Sequence, residues 1–581
     1  MGQSWDFATK EKSAGNFDLR SNEDHTIRLN NHPPIFDSVS GFSYVPYWKN
    51  DLLFVQERKV YKNGQIYGRD EFIQYIVGSG QHTNSHLWSS NGYLFQAPFT
   101  FYTQQKILDL PPGFEGGHNA RFSRIITSEC ITCHDGYPVF DSLSENRFLS
   151  IKNGIDCERC HGPGSIHVEE KLKGISVDIN TETDYSIVNP KKLPRDEQIN
   201  LCQRCHLQGV MVLNEGKTFY DFRPGMMLSE VFNTFLPRYT GSRDNFIMAS
   251  HADRMKQSAC FLKSEMTCLS CHDPHVSVKE TPADVFVAKC NACHEPKNTC
   301  RLPLAEREVK QNNCISCHMP LSNTIDIPHV QIHDHFIRIH QPGEEKLPLG
   351  KLVSLECNTN SDPPPLLMAK GFLEYYEAYL QRPELLDSAE KYLMQHRGAD
   401  PFETEIRLRF LQNDFPKITA LASTLTPVKL HDAWTAYRIG ESFSKMKDEE
   451  SALKYFSRAV ELKPHHPEFV NKYGSCLFAL GKLEEAKKVF ADLVALDKTF
   501  APAQSNLGYL EFLQGKLKEA KANLNSALSL DPDYGIAIFN LAGLYVMEGE
   551  KQEAISLLKH LLLIEPRNQK AKEMLNKISN F

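Results

Sequence analysis

A five-residue pattern, Cys-x-x-Cys-His, occurs six times between residues 126 and 340 and constrains this chain more than any other feature. Fourteen of the chain's sixteen cysteines lie in this segment, and twelve of them belong to the pattern. At this composition roughly 0.02 copies are expected by chance in the whole chain, so the repetition reflects a shared chemistry. The copies are Cys130/Cys133/His134, Cys157/Cys160/His161, Cys202/Cys205/His206, Cys268/Cys271/His272, Cys290/Cys293/His294 and Cys314/Cys317/His318.

The spacing of this pattern suits covalent attachment of a haem. Two thiols three residues apart can each form a thioether with one vinyl group, and the next residue then places an imidazole under the iron. Zinc is the alternative, because the gaps of 18 residues after Cys271 and 20 after Cys293 suit paired zinc-ribbon motifs. Zinc does not need a histidine after every second cysteine, and all six copies have one. We therefore predict six haem c groups, with twelve cysteine anchors and six proximal histidine ligands.

The second axial position of each iron decides between electron transfer alone and substrate binding. Two histidine ligands close the site, whereas an open position accepts a small molecule. Ten further histidines could serve as distal ligands: His82, His86, His118, His167, His251, His275, His329, His333, His335 and His340. Cys260 and Cys300 are left over and could form a disulfide.

The residues before the cysteine-rich segment are rich in aromatic side chains. Residues 42–102 contain 15 of them, and Asn63-Gly64 and Asn91-Gly92 separate runs of alternating polarity. Both dipeptides are typical of β-hairpin turns. We expect residues 1–125 to form a β-rich unit that packs on the haem domain.

The haem domain, residues 126–340, shows little sustained hydrophobic periodicity. The macrocycles would supply its core, so we expect little regular structure beyond short helices such as one around Val231 to Phe235. Residues 341–365 end in three prolines and are predicted to be a linker. Residues 366–432 are predicted to be helical, and degenerate repeats are one interpretation of this segment.

A period of 34 residues governs the end of the chain. Small residues that recur at fixed positions let paired helices approach closely, and stacked pairs bury what one pair cannot. The pattern resembles tetratricopeptide repeats and predicts an α-solenoid over 433–581, with about four repeats and a terminal helix. The registers are Gly440, Gly474, Gly508 and Ala542; Ala452, Ala486, Ala520 and Ala554; and Phe456, Phe490, Leu524 and Leu558.

Charge and targeting signals limit the remaining classes of function. The formal net charge is −7 and no long Lys/Arg run is present, which argues against nucleic-acid binding. No stretch approaches the length of an apolar membrane span. The polar residues after Met1 lack a secretory signal, yet covalent haem belongs to exported chains. We therefore expect a periplasmic or extracellular protein whose export signal is missing from this sequence.

Several motifs together resemble bacterial tetratricopeptide-repeat multihaem c-type cytochromes. They are Gly78-Ser79-Gly80-Gln81-His82, the run from Cys160 to His167, Cys271-His272-Asp273-Pro274-His275, Cys317-His318-Met319-Pro320 and the repeats behind them. The haem segment is similar to that of nitrifier tetrahaem cytochromes, which are related to pentahaem nitrite reductase and hydroxylamine oxidoreductase. The resemblance implies that His167 and His275 ligate neighbouring irons, and it favours His82, His118, His251 and His335 as distal ligands. It also implies a further haem motif upstream of Met1.

Two functions follow as expectations. The first is an electron carrier with mostly bis-histidine haems, which meets redox partners through a haem edge and the repeat domain and also associates with copies of itself. The second is an oxidoreductase in which one open iron acts on a small nitrogen or sulfur compound. The Cys-x-x-Cys-Lys motif of the related nitrite reductases is absent. We therefore favour the electron carrier over a catalyst and predict no catalytic residue.

Overall fold

The fold is described from a computed structural model of the 581-residue chain. It describes residues 5–7, 32–78, 80–152, 154–240, 245–294, 300, 302–340 and 350–579. Most of the first 31 residues of the predicted β-rich unit and residues 341–349 of the predicted linker lie outside these ranges.

The N-terminal unit is built from two antiparallel sheets. One has the strand order β1-β6-β7-β8-β9 and the other the order β2-β3-β4-β5. Asn63-Gly64 lies in the turn between β4 and β5, and Asn91-Gly92 joins β7 to β8, so both predicted hairpins are confirmed. The strands are β1 (Trp5–Phe7), β2 (Ile35–Phe36), β3 (Phe42–Lys49), β4 (Leu52–Val60), β5 (Ile66–Phe72), β6 (Tyr75–Val77), β7 (Thr83–Ser90), β8 (Tyr93–Tyr102) and β9 (Ile107–Asp109).

The predicted aromatic residues form the core of this unit. Tyr44 on β3 and Phe99 on β8 are fully buried, together with Leu53, Val55 and Phe114. Alternate residues of β3 point inward, which is the two-residue period of a strand with one buried face. The N-terminal region is therefore β-rich, as its sequence predicts.

The segment from 126 to 340 contains short elements joined by long irregular stretches. Between Met255 and Val330, no hydrophobic residue that the structure describes is buried. Its elements are β10 (Val139–Phe140), β11 (Phe148–Ser150), β12 (Val210–Leu213), β13 (Phe232–Tyr239), β14 (Leu321–Asn323), β15 (Gln331–His333), α1 (Ser128–Ile131), α2 (Glu158–His161), α3 (Ser165–Leu172), α4 (Arg195–His206), α5 (His251–Lys256), α6 (Ala259–Leu262), α7 (Ala283–His294), α8 (Leu304–Val309) and α9 (Cys314–His318).

Two expectations for the middle of the chain differ from the structure. The helix expected around Val231 to Phe235 is wrong, because Phe232 begins the strand β13. Within the predicted linker, Leu352–Cys357 forms strand β16, which pairs antiparallel with β13. Phe235 belongs to β13, and its side chain is fully buried against the helix that follows β16. Burial of an aromatic strand therefore explains both differences.

From residue 365 the chain is helical throughout most of its described length. The helices pack in consecutive antiparallel pairs, which gives the solenoid predicted from the 34-residue period. They are α10 (Pro365–Ala378), α11 (Pro383–Gln395), α12 (Phe402–Leu411), α13 (Phe415–Ala422), α14 (Ala433–Lys445), α15 (Glu449–Leu462), α16 (Pro467–Ala479), α17 (Leu483–Leu496), α18 (Ala501–Leu513), α19 (Leu517–Leu530), α20 (Gly535–Glu548), α21 (Lys551–Ile564) and α22 (Gln569–Ser579).

The solenoid and the β-rich unit contact each other at successive repeat junctions, which follow α15, α17 and α19. Arg121 donates to both carboxylate oxygens of buried Glu57 and reaches Asp531, which follows α19. Lys59 and Tyr61 contact Asp533 at 2.7 and 2.8 Å. Burial alone would raise the pKa of Asp533, but hydrogen bonds from His560 and from these two groups hold it below its ordinary range. The repeats are thus anchored to the rest of the molecule along one edge.

Candidate functional site

The six Cys-x-x-Cys-His motifs all line one continuous cavity of about 4750 Å³. A pocket for a single small molecule measures about 300–1,000 Å³, so this volume suits several large ligands. All twelve motif cysteines and all six following histidines contribute to its wall. The structure therefore brings together residues that span 189 positions of the sequence, from Cys130 to His318.

Each motif lies on or beside a short helical turn. The second and sixth coincide with α2 and α9, and the third and fifth end α4 and α7. On a helix, positions three and four residues apart share one face. Both thiols and the imidazole of a motif therefore face the same side, as attachment and axial ligation of one haem require.

Two pairs of imidazole rings have the spacing of two ligands on one metal. The ring centres of His161 and His275 are 6.0 Å apart with an interplanar angle of 18°, and those of His272 and His335 are 6.2 Å apart at 21°. Two metal–nitrogen bonds of about 2 Å each, together with the ring radii, give roughly 6 Å between ring centres. Each pair joins a predicted proximal histidine to a predicted distal one.

Hydrogen bonds fix the orientation of several of these imidazoles. The Nδ1 atoms of His161, His318 and His335 lie 2.8, 3.0 and 2.9 Å from backbone carbonyl oxygens. A carbonyl oxygen only accepts, so Nδ1 carries the proton and the lone pair stays on Nε2. Metal-ligating histidines are held by their second nitrogen in this way.

His251 and His335 lie next to each other beside two of the predicted proximal histidines. Their ring centres are 4.8 Å apart, and His251 is 5.4 Å from His206. Burial lowers the pKa of His251 well below its ordinary value, with further lowering by His335 and His206. Burial likewise lowers the pKa of His335 to about 4. Both rings are therefore neutral near pH 7, as metal coordination requires.

A buried ion pair links the segments that carry these two histidines. Arg254 follows His251 on α5 and donates to both oxygens of Asp334, at 2.8 and 2.6 Å, and Asp334 directly precedes His335. Both side chains are less than 5% exposed. No motif in the sequence predicts this pair. Charged residues within three positions of candidate ligands are the only signal for it in the sequence.

The remaining predicted distal ligands divide into two groups. His82 and His118 line the cavity. His167 is not part of the cavity wall, and its Nδ1 contacts Ser186 Oγ at 2.9 Å. Of the other candidates, His86 is fully buried against Phe99 and His329 uses Nε2 to contact Asp109.

The structure bears on the two cysteines outside the motifs and on the zinc alternative. Cys260 and Cys300 are both free thiols, so the expected disulfide is not formed between them in the structure. Within the described ranges, no group of three or more His, Cys, Asp or Glu side chains could hold a metal ion. The four convergent ligands of a structural zinc site are therefore not found in that part of the chain.

Comparison with known proteins identifies the repeats. Residues 445–507 and 511–578 match the family model of the tetratricopeptide repeat, so the C-terminal region contains these repeats. No curated protein matches the chain. The repeat class indicates protein partners. Among the described helices, none is long and apolar enough to cross a membrane.

Solved structures match over about a third of the chain. The crystal structure of MamA is 19% identical with a TM-score of 0.26, and covers 28% of this chain and 96% of that one. A thermophilic tetratricopeptide-repeat protein of Thermus thermophilus is 19% identical with a TM-score of 0.26, at 33% and 95% coverage. At these scores the likenesses add nothing to the family match.

Proposed function

We propose that this chain is a hexahaem c-type cytochrome that carries electrons and that its repeats dock it to protein partners. The observation that carries the proposal is the convergence of all six Cys-x-x-Cys-His motifs on one cavity. A haem c group, when bound, supplies one-electron redox chemistry. The twelve motif cysteines would attach the groups, and His134, His161, His206, His272, His294 and His318 would be the proximal ligands.

Closed axial sites favour electron transfer over catalysis. His275 faces His161, and His335 faces His272, at the separation of two imidazoles on one metal. A site with two strong protein ligands leaves no position for a substrate. The arrangement at these two motifs therefore supports a carrier, with His275 and His335 as distal ligands.

The cavity also accounts for the missing core of the central segment. Side chains between Met255 and Val330 bury no described hydrophobic residue, yet three of the six motifs lie there. A folded segment of this length needs apolar burial from some source. Large apolar groups attached to the wall would provide it.

The repeat domain supports docking to a redox partner. Tetratricopeptide repeats form extended surfaces that bind other proteins, and here they are held rigidly to the β-rich unit through Arg121 and Lys59. A partner on the solenoid would therefore keep a fixed position relative to the cavity. Covalent haem further supports a periplasmic or extracellular location.

The test is to express the chain with an export signal in a host that matures c-type cytochromes. We expect six haems per chain by the pyridine haemochrome assay and by intact mass, and an all low-spin ferric spectrum. One haem that binds carbon monoxide stoichiometrically in the reduced protein would instead favour the oxidoreductase with an open site. Absence of covalent haem would refute both functions.

A matched pair of variants separates axial ligation from attachment. His275→Met should change the spectrum of one haem and leave the haem count at six. Cys157→Ala together with Cys160→Ala should lower the count by one. A haem count unaffected by the double cysteine change would contradict the assignment of that motif.

A further inference from the structure

The variable positions of the first three motifs meet at one point in the structure. Thr132 belongs to the first motif, Arg159 to the second and Arg204 to the third. The Nη2 atoms of both arginines lie near Thr132 Oγ1, at 3.1 and 3.4 Å. The arginines are only 2% and 3% exposed and line the cavity.

These two guanidinium groups keep free hydrogen-bond donors. Among the residues that the structure describes, Nε and Nη1 of Arg159 and Nε of Arg204 are buried without a hydrogen-bond partner, and so is the hydroxyl of Tyr220. The Arg159 guanidinium lies 4.7 Å from the ring centre of Tyr137 and 5.2 Å from that of Tyr220. Two permanent positive charges with unsatisfied donors are costly to bury alone.

Within the described part of the chain, neither arginine forms an ion pair with Asp or Glu. Asp135 is buried nearby and is influenced by Arg159, but its oxygens accept from the backbone amides of Gly136 and Lys152, at 2.6 and 3.2 Å. The donors that face the cavity therefore suit an anion that comes from outside the chain.

We propose that Arg159 and Arg204 form a binding site for a haem propionate. Nη2 of Arg159 already donates to Thr132, so the free Nε and Nη1 lie on different edges of the guanidinium, and each offers one charge-assisted N–H bond to a carboxylate oxygen. The propionates of a haem lie on the edge opposite its vinyl carbons, so the carboxylate that reaches these motif residues comes from a neighbouring haem. This inference rests on the proposed function. It adds a contact between the propionate of one haem and the arginines of motifs that hold other haems.

The experiment measures haem midpoint potentials in the full haem-loaded chain, in Arg159→Gln and Arg204→Gln variants. Loss of one positive charge leaves the propionate uncompensated, which disfavours the reduced iron and raises the propionate pKa. We expect the potential of one haem to become more negative and to acquire a dependence on pH near neutrality. The same haem should respond in both variants.

Two controls define the site. Arg159→Lys and Arg204→Lys keep the positive charge but lose the planar set of guanidinium N–H donors. Each should therefore give a smaller shift in the midpoint potential of the same haem. Arg223 is exposed and lies 5.3 Å from the same Tyr137 ring, so Arg223→Gln should leave every potential unchanged. If a glutamine variant does not load haem, the lysine variant decides: a shift supports the site and no shift overturns it.

The outcomes also separate this inference from the proposed function. Six haems with potentials that neither glutamine variant changes would overturn the propionate site and leave the cytochrome intact. Fewer than six haems in the unaltered chain would count against the proposed function itself. A spectral change of the unaltered protein on addition of sulfate or nitrite, lost in both glutamine variants, would assign the site to a free oxyanion and overturn the propionate.

Discussion

Arg254 and Asp334 show how single residues hold the candidate ligands in place. The Arg254 guanidinium lies between the rings of Phe246 and Phe336, and Asp334 also accepts from the Phe336 amide at 2.9 Å. Each partner lies close in sequence to a histidine that faces the cavity. The pair therefore sets the distance between His251 and His335 from the outside of the site.

Arg254→Met should destabilise the protein by about 3–5 kcal/mol, because it leaves the Asp334 carboxylate buried without its partner. Urea unfolding of the haem-loaded chain measures this loss. The double variant Arg254→Met/Asp334→Asn should recover part of it. Lys173→Met removes an exposed pair with Glu169, both about two-thirds exposed, and should cost less than about 1 kcal/mol. Equal losses in both single variants would contradict the argument.

The sequence predicts which histidines are proximal ligands but not the geometry of the predicted distal ones. His161 is marked by the two cysteines before it, whereas His275 lies 114 residues later, just after the fourth motif, and nothing in the sequence pairs it with His161. Its place opposite His161 depends on how the irregular chain between them folds. Arg159 and Arg204 occupy positions that the motif leaves free, so their burial could not be inferred either.

At the scale of elements, the repeats follow from their small residues. A Cβ added to Gly440, Gly474 or Gly508 would lie 2.8 or 2.9 Å from Phe456, Phe490 or Leu524 of the following helix. Each large residue stands 16 positions after its glycine, so one pair of registers explains how the two helices of a repeat approach. Here sequence period and packing agree closely.

One residue, Lys447, interrupts the series of turn glycines between paired helices and leads to a prediction. Lys447 replaces the turn glycine seen at 481, 515 and 549, yet adopts the same left-handed backbone with φ of 63°. A side chain costs about 1–2 kcal/mol there, so Lys447→Gly should raise the free energy of unfolding by about 1 kcal/mol. Gly481→Ala, with open space around its Cβ, should lower it by a similar amount. Thermal unfolding of the full chain measures both changes in stability. A Lys447→Gly variant that is less stable would show that the left-handed backbone at Lys447 is not strained.

Strands β13 and β16 mark the limit of element prediction. Val231 to Phe235 reads equally well as a short helix or a strand, because a short apolar run has no decisive period. Its partner strand follows more than 100 residues later, in a stretch whose prolines suggest a linker. The pairing of β13 with β16 in the folded protein, and not the local sequence, determines the structure of both segments.

At the scale of the whole molecule, the solenoid also contacts the cysteine-rich segment. His465 Nδ1 lies 2.7 Å from Asp141, and His466 Nε2 lies 2.7 Å from Glu145. Lys463 donates to the Ser144 carbonyl at 2.9 Å. The turn between α15 and α16 is therefore joined by hydrogen bonds and ion pairs to residues that follow the first motif.

This contact predicts acid sensitivity. Burial alone would raise the pKa of both carboxyls, but Arg147 and His465 bring the pKa of Asp141 below its ordinary value, and His466 does so for Glu145. Carboxyls with depressed pKa values stabilise the fold above their ordinary values of 3.8 and 4.5, and that contribution disappears as the pH falls through the lower folded values.

The measurement is the free energy of unfolding between neutral pH and about pH 3, below the ordinary carboxyl range. Glu145→Gln should reduce stability at pH 7 and flatten the acid limb of the curve. Glu169→Gln, on an exposed helix, should leave its shape unchanged. An unaltered acid limb in Glu145→Gln would show that the repeat junction does not depend on this charge.

The absence of a buried hydrophobic residue between Met255 and Val330, within the described part of that stretch, bears on the order in which the protein matures. The β-rich unit and the repeats each have a packed core, so both can fold as soon as they are made. Under the proposed function, the stretch between Met255 and Val330 would gain its core only with its haems and would stay accessible to the attachment machinery until they arrive. The two ends of the chain would then serve as a preassembled frame, and the last three haems would be the final step of folding.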